Sequence, residues 1–391
     1  MRLTGTACIA ALGAGCAVPP LDAARLPDID AAIARALAAR SMPGAVFHLE
    51  RGGAVHASAQ GRFSYEAGAA PVRADTVYDA ASLTKVLATA PAVLLLVEEG
   101  KLALDATLGS YFSDCAAGPS AAITVRQLLT HTSGLPSGLP STPAWQGQDA
   151  AYALACSRTP SAPPGTLFRY SDVNFILLGR LVAQAAGVPL DRFAQERLFV
   201  PLGMADTGFR PLDSQAGGVP WSRIAPTRPP QGVAQGLAPG VVHDPSARRM
   251  GGVAGSAGVF TTAPDVARFA RMLLAGGMHE GKRVLSEDSV RLMSSVQSPP
   301  GIAQTRAMGM DIGSPFARPR GELFPVGSFG HTGFTGCVLW IEPASRTFYV
   351  FLSNRVYPDD KSNILALYSE LGTLAARAVN GIDFSRLKGS P

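Results

Sequence analysis

Residues 81–86 read ASLTKV, and from Ser82 onward apolar residues recur at helical spacing as far as Val97. The segment is apolar on nearly every side, which predicts a buried helix with a kink near Pro91. Because residues three apart lie on one face of a helix, the ammonium of Lys85 can sit beside the hydroxyl of Ser82. The amino terminus of a helix also favours negative charge that develops there. This stretch therefore predicts a serine and a lysine paired at the start of a core helix.

The Ser-x-x-Lys spacing is not specific by itself. Ser385 and Lys388 repeat it in a polar tail that has no apolar helix behind it. Ser82 differs in context, because Tyr78-Asp79-Ala80-Ala81 precedes it and the predicted buried helix follows it.

A second group of polar residues, Tyr170-Ser171-Asp172, directly precedes an apolar helical segment at residues 173–186. A tyrosine beside a serine nucleophile can act as a base if its pKa falls from the reference value of about 10. The cation of Lys85 would lower that pKa by favouring the phenolate. From the tripeptide alone, a tyrosine packed at a helix start, with a serine or aspartate cap, is the simpler interpretation.

A third group, His331-Thr332-Gly333, lies in the segment GHTGFTG at residues 330–336, just before an apolar strand. Glycines let a backbone approach a substrate closely, and a strand edge offers N–H groups for an oxyanion hole. A glycine-rich hairpin turn would explain the glycines, but it would not explain the adjacent histidine and threonine.

Strand patterns lie at both ends of the chain, and helical patterns lie in the middle. The predicted strands are residues 45–51, 54–63, 338–341 and 348–352, and the predicted helices are residues 28–40, 173–186, 265–274 and 362–378. The simplest closure is an α+β fold with one antiparallel sheet flanked by terminal helices and a mainly helical lobe. A cleft between such lobes is the default place for a site. The Pro- and Gly-rich stretch 212–249 predicts a long functional or mobile loop.

The composition excludes several classes of function. The 391 residues are 47% hydrophobic and 16% charged, which supports a sizeable core and argues against disorder. The net charge is +5, only five of the 34 basic residues are lysine, and no dense basic run occurs, so nucleic-acid binding is not predicted. The sequence has no CxxC or HExxH spacing, so no metal site or cofactor is predicted.

The amino terminus has the anatomy of a secretory signal, with Arg2, an apolar stretch of small residues over 3–14, and Gly15-Cys16. This predicts a signal over residues 1–16, a linker over 17–27 and a single two-lobed domain over 28–385. The small residues before Cys16 resemble a bacterial lipoprotein cleavage site. The expected location is therefore the periplasm or, with a lipidated Cys16, the membrane.

Beyond the signal, the cysteines are Cys115, Cys156 and Cys337. Three is an odd number, so at least one is free or pairs with another chain. Cys115 and Cys156 are the pair worth testing as a disulfide. Buried free thiols that act as small apolar groups are the favoured alternative.

Three boxes in this order (Ser-x-x-Lys, Tyr-Ser-x and His-Thr-Gly) resemble the β-lactamase-related serine hydrolases. That group includes class C β-lactamases, D-aminopeptidases, D,D-carboxypeptidases and family VIII esterases. The similar connecting segments are ASLTKV from Ala81, LLTHTSGL from Leu128, PLGMADTGF from Pro201 and GVAGSAGVFTTAPD from Gly252. The resemblance covers roughly residues 28–380 and implies a β-lactamase or penicillin-binding-protein-like α+β fold.

The resemblance implies a role for each box. Ser82 would be the acylated nucleophile, and Lys85 and Tyr170 would move its proton. The backbone N–H groups of Ser82 and Phe334 would hold the oxyanion. The oxyanion and substrate-binding residues that it implies are Phe334, His331, Thr332, Gly333 and Asp172.

Two positions depart from the lactamase pattern. Asp172 stands where an asparagine is expected, which removes two N–H donors, should weaken the grip on a β-lactam side-chain amide and would suit a cationic substrate. His331 stands where a lysine is usual, and it is only partly charged near its reference pKa of about 6.5. Ser256 stands where a subset linked to cell-wall peptides has histidine, so no role is assigned to it.

These observations favour a serine hydrolase of small esters or of peptides and amides that contain D-amino acids. A class C-like β-lactamase is the alternative within the enzyme class. A non-catalytic binder of cell-wall peptides or lactams with the same fold is the alternative from another class. An α/β-hydrolase is excluded because no serine lies in a G-x-S-x-G elbow. The oligomeric state is left open by the sequence.

Overall fold

The computed structural model describes residues 20–210, 219–229 and 237–387. The helices are α1 Leu26–Ala38, α2 Ala90–Glu98, α3 Leu108–Tyr111, α4 Val125–Leu129, α5 Gln148–Cys156, α6 Asp172–Ala186, α7 Leu190–Ala194, α8 Pro245–Arg249, α9 Ala263–Leu274, α10 Glu287–Ser294 and α11 Leu365–Arg377. The strands are β1 Gly44–Arg51, β2 Ala54–Gly61, β3 Tyr78–Asp79, β4 Gly208–Phe209, β5 Val259–Thr261, β6 Met278–His279, β7 Lys282–Arg283, β8 Thr305–Arg306, β9 Asp311–Gly313, β10 Phe329–Gly333, β11 Cys337–Glu342 and β12 Thr347–Ser353.

The main sheet is built from both ends of the chain, as the sequence predicts. Its strand order is β2-β1-β12-β11-β10-β9-β8, and every pairing in it is antiparallel. The first strand joins the last, with Ala45 opposite Ser353 and Arg51 opposite Thr347. The predicted α+β fold with one antiparallel sheet is therefore confirmed.

Side chains that alternate along the central strands enter two separate cores. Phe47 and Trp340 pack with α1 and α11 on one face of the sheet, and Val46 and Leu339 pack with the helical lobe on the other. Because both faces are covered, β12 is buried along its whole length, and its sequence reads as an apolar run. The edge strand β2 instead alternates between partly buried and exposed residues.

The helical lobe is organised around α2 and α6, which pack against each other. The stretch Ala81–Glu98 is long and apolar enough for a membrane span by length and composition, yet 83% of it is buried inside the protein. It is therefore the core helix of this lobe. The loop before β5 also lies against α6, because a Cβ atom added to Gly255 would lie 2.0 Å from the carbonyl oxygen of Phe175.

The predicted kink near Pro91 takes a different form. A 3₁₀ turn at Ala81–Leu83 and a π-helical turn at Lys85–Thr89 precede α2. Pro91 then lies directly after the π-helical turn, in a continuous helical run, where it cannot donate a backbone hydrogen bond to that turn. The helix therefore changes its winding before the proline, within the segment that carries Lys85.

Cys115 and Cys156 form a disulfide, so the favoured interpretation of two buried free thiols is wrong. Their Cα atoms lie 5.0 Å apart, within the usual range for a bridge. Nothing in a sequence separation of 41 residues reveals that proximity. Cys337 is free and buried.

Parts of the remaining predictions lie outside the described residues. These parts are the signal at residues 1–16 with Cys16, and Lys388 of the second Ser-x-x-Lys match. Within the stretch 212–249, the described residues include a 3₁₀ turn at Trp221–Arg223 and helix α8, so it is not one uninterrupted loop.

The contact of Gly255 with α6 yields a stability prediction. Gly255→Ala should lower the free energy of unfolding by about 1–3 kcal/mol, because the added Cβ atom meets backbone that cannot move away locally. Gly138→Ala is the matched control, since an added Cβ atom there meets nothing within 4 Å. Urea unfolding of the two variants measures the difference, and equal stability would contradict the close packing.

Candidate active site

A cleft of about 640 Å³ opens between the sheet and the helical lobe. All three sequence boxes reach it, since Ser82, Tyr170 and His331 are among the residues that line it. These residues are far apart in the chain, so the fold brings together what the sequence only places in order. The predicted position of the site, between the two lobes, agrees with this geometry.

Ser82 lies on a tight turn that a buried carboxylate stabilises. The preceding residue, Ala81, has a φ of +45°, a left-handed conformation that costs a non-glycine residue about 1–2 kcal/mol. Asp79 accepts a hydrogen bond from the N–H of Ala81 at 2.8 Å and one from the N–H of His243 at 2.6 Å. Burial is the largest influence on Asp79 and raises its pKa to about 6, although both hydrogen bonds act in the opposite direction.

Lys85 is fully buried and meets three oxygen atoms. Its Nζ atom lies 2.9 Å from Ser82 Oγ, 2.9 Å from the carbonyl oxygen of Ser256 and 2.7 Å from Asp172 Oδ1. Burial alone would lower the pKa of the ammonium, but the charges and hydrogen bonds of Asp172 and Tyr170 reverse this and raise the pKa. Lys85 is therefore a cation at neutral pH and donates a hydrogen bond to Ser82.

The ion pair with Lys85 gives Asp172 a partner that the sequence does not reveal. The sequence suggests that this carboxylate suits a cationic substrate, whereas in the structure its nearest cation is the buried ammonium at 2.7 Å. The side chain of Asp172 remains about one third exposed and lines the cleft. Its charge is thus largely balanced from within the protein.

A histidine from the LLTHTSGL segment supports Tyr170. The rings of His131 and Tyr170 stack with centroids 4.4 Å apart, and His131 Nδ1 accepts a hydrogen bond from the N–H of Ser171 at 3.1 Å. Burial first, and then the cations of Arg306 and Lys85, lower the pKa of His131 well below its usual value. A neutral imidazole therefore fixes both the ring and the backbone of the tyrosine loop.

His331 is buried on β10 and faces Tyr170, with ring centroids 5.9 Å apart. Its Nδ1 atom lies 2.8 Å from the carbonyl oxygen of Thr332, which can only accept, so Nδ1 carries the proton. Burial, Arg306 and Lys85 lower the pKa of His331 well below its usual value. The partial charge expected from the reference pKa is therefore absent at neutral pH.

Gly333 brings β10 against the turn that carries Ser82. A Cβ atom there would lie 2.5 Å from the carbonyl oxygen of Ala80, so only glycine fits. The next residue, Phe334, has an exposed ring and an oxygen that accepts a hydrogen bond from Arg355 Nε at 2.8 Å. Thr335 Oγ1 donates to the carbonyl oxygen of Asp79 at 2.7 Å. These contacts tie the Gly-rich turn to the turn that carries Ser82.

Several residues of this site were not predicted from the sequence. Arg306 and Asp311 form a fully buried ion pair at 2.7 Å, and the guanidinium carbon of Arg306 lies 5.9 Å from the centre of the Tyr170 ring. Neither residue belongs to a recognised box. The sequence also did not predict the role of His131. Its segment, LLTHTSGL, is the signal that could have identified this residue.

Among the described residues, one cluster of potential metal ligands occurs, at Asp114, Cys115 and Cys156. The two sulfur atoms are bonded to each other, so the cluster supports no metal site. It also lies apart from the residues that line the cleft.

The antiparallel sheet, the helical lobe and the Ser82–Lys85–Tyr170 group between them define the class of β-lactamase-fold serine hydrolases. The chain belongs to the beta-lactamase family, whose model matches residues 29–371. An Escherichia coli O157:H7 protein with the provisional name D-alanyl-D-alanine carboxypeptidase is 34% identical over 320 residues, which cover 73% of this chain and 71% of that protein.

Solved structures show the same fold. A family VIII carboxylesterase has a TM-score of 0.69 and 21% identity, and the match covers 92% of this chain and 99% of that one. SurE with D-Leu has a TM-score of 0.68 and 26% identity, and the match covers 95% of this chain and 78% of that one.

The Lys85–Asp172 ion pair yields a pH prediction. Asp172→Asn should lower the pKa of Lys85, because it removes a carboxylate that raises this pKa. The ionisation of the lysine in the pH profile of Ser82 labelling by a fluorophosphonate should then move to lower pH. Asp105→Asn, at an exposed site, controls for the change in net charge. An identical profile for wild type and Asp172→Asn would contradict the proposed coupling.

Proposed function

We propose that this protein is a serine hydrolase that forms an acyl-enzyme on Ser82 and acts on small esters or on peptides and amides that contain D-amino acids. The observation that carries the proposal is the 2.9 Å contact between Ser82 Oγ and the buried Lys85 Nζ, at a cleft that Tyr170 also lines. A buried cation beside a hydroxyl stabilises the developing alkoxide.

The geometry suggests how the proton moves. Because Asp172 keeps Lys85 protonated, the lysine acts as a cation and donor, and the phenolate form of Tyr170 is the proposed proton acceptor when Ser82 attacks the substrate carbonyl. Tyr170 then gives this proton to the leaving group, whose bond to the acyl carbon breaks as the acyl-enzyme forms. In the second half-reaction a water molecule gives a proton to the Tyr170 phenolate and attacks the acyl carbon, the bond between that carbon and Ser82 Oγ breaks, and Tyr170 returns the proton to Ser82 Oγ.

The proposed oxyanion hole consists of the backbone N–H groups of Ser82 and Phe334. Two contacts support this assignment, since Thr335 Oγ1 and Gly333 hold the Gly-rich turn against the nucleophile turn. Preorganised N–H donors are effective because they need no rearrangement as the charge develops. Thr332 and His331 would form the wall of the cleft beside them.

The substrate class rests on the relatives and on charge. The curated relatives are named for D-alanyl-D-alanine carboxypeptidase activity, which supports the D-peptide proposal. A β-lactamase remains the second candidate within the family. However, His331 is neutral and Asp172 is paired with Lys85, so these two residues cannot make the substrate contacts that lysine and asparagine usually make in lactamases. A non-catalytic binder is disfavoured because the Ser82, Lys85 and Tyr170 side chains all converge.

Hydrolysis of a short-chain nitrophenyl ester by wild type and by Ser82→Ala tests the nucleophile. Wild type should turn over the ester and become labelled by a serine-directed phosphonate, and the variant should do neither, because Ser82 is the serine whose hydroxyl Lys85 Nζ contacts. Labelling that survives in Ser82→Ala would remove Ser82 as nucleophile. Cephalosporin turnover at rates that rival ester turnover would favour the lactamase.

Tyr170→Phe tests the proton acceptor. The change keeps the ring that stacks on His131 and removes only the hydroxyl, so turnover should fall by about 10²-fold or more with little change in stability. Steady-state kinetics and thermal unfolding on the same samples separate the two effects. A rate within a few-fold of wild type would transfer the base role to Lys85.

A further inference from the structure

We propose that Arg355 forms a subsite for a carboxylate group of the substrate, beside the apolar ring of Phe334. The inference deepens the proposed function, on which it rests for the identity of the cleft. Arg355 is the only lysine or arginine among the described residues that line the cleft. Arg306, the other nearby arginine, is fully buried and paired with Asp311.

Backbone carbonyl groups hold the guanidinium of Arg355 in place. Its Nε atom donates to Phe334 O at 2.8 Å, and its Nη1 atom donates to Ser362 O at 2.8 Å and to Asp360 O at 3.3 Å. The guanidinium carbon lies 4.3 Å from the centre of the Phe334 ring. These four contacts fix the plane of the group before any ligand arrives.

Arg355 has no carboxylate partner of its own among the described residues. The side chain of Asp360, the nearest candidate, is instead engaged by Arg228 and by His243, whose Nε2 atom lies 3.1 Å from Asp360 Oδ1. The Nη2 group of Arg355 donates to none of the residues that the structure describes. A half-buried cation that contacts no carboxylate of the described residues carries a desolvation cost, which a bound anion would offset.

The surroundings specify the rest of the ligand. Large exposed apolar side chains are few in the described residues, and three of them, Phe316, Phe334 and Leu365, line this cleft. His331 stands where lactamases usually have lysine, and because it is neutral, this position adds no positive charge to the cleft. A carboxylate next to an apolar or aromatic group therefore matches the chemistry of this cleft, with the Phe334 ring directly beside the guanidinium, and guanidinium–carboxylate hydrogen bonds supply the specificity.

Binding to the inactive Ser82→Ala protein tests the subsite without any turnover. Phenylacetyl-D-alanine and phenylacetyl-D-alaninamide differ only in the terminal carboxylate. Calorimetry should show that the acid binds at least about tenfold more tightly than the amide, as expected for one charge-assisted pair. In Ser82→Ala/Arg355→Gln the two should bind equally, and Ser82→Ala/Arg355→Lys should keep part of the preference.

Ser82→Ala/Arg62→Gln is the matched control, because Arg62 also donates to a backbone carbonyl group, that of Ala69, and does not line the cleft. It should keep the preference for the acid. Equal affinity of acid and amide for Ser82→Ala, no binding of the acid at millimolar concentration, or a preference that survives Arg355→Gln would each overturn the subsite. These outcomes are separate from loss of the proposed function, which the turnover and labelling of wild type decide.

Discussion

The site depends on the contacts that the buried ammonium of Lys85 makes. Its three oxygen partners, on Ser82, Asp172 and Ser256, come from three segments that meet only in the folded protein. An ammonium removed from water costs several kcal/mol unless hydrogen bonds and an opposite charge compensate it. One buried charge thus holds together three segments, which are the turn that carries Ser82, the start of α6 and the loop before β5.

The opposite wall of the site depends on a second buried group. The carboxylate of Asp79 accepts a hydrogen bond from the N–H of Ala81, the left-handed residue that precedes Ser82. The backbone carbonyl oxygen of Asp79 accepts a hydrogen bond from Thr335. Gly333 permits the two backbones to touch. Strain at Ala81 persists because the surrounding hydrogen bonds leave the turn no alternative. The geometry of this turn is therefore set by contacts within the fold.

Both imidazoles beside Tyr170 are neutral because they are buried near the cations of Lys85 and Arg306. The cleft therefore has a fixed cationic centre at Lys85, and at neutral pH these two imidazoles add no charge to it. Arg355 and the exposed ring of Phe334 beside it line the same cleft. The groups that would handle the proton are thus distinct from those that would select the substrate.

The sequence by itself determined the fold class, the strands at both ends and the order along the chain of the boxes that contain Ser82, Lys85, Tyr170 and His331, because helical and strand periodicity and three ordered boxes are local signals. Only the tertiary structure decided that Asp172 pairs with Lys85, that His331 is neutral, that Cys115 joins Cys156 and that Arg355 forms no ion pair with a carboxylate of the described residues. Each of these depends on distance and burial between segments remote in the chain, and neither quantity is encoded in any single stretch of residues.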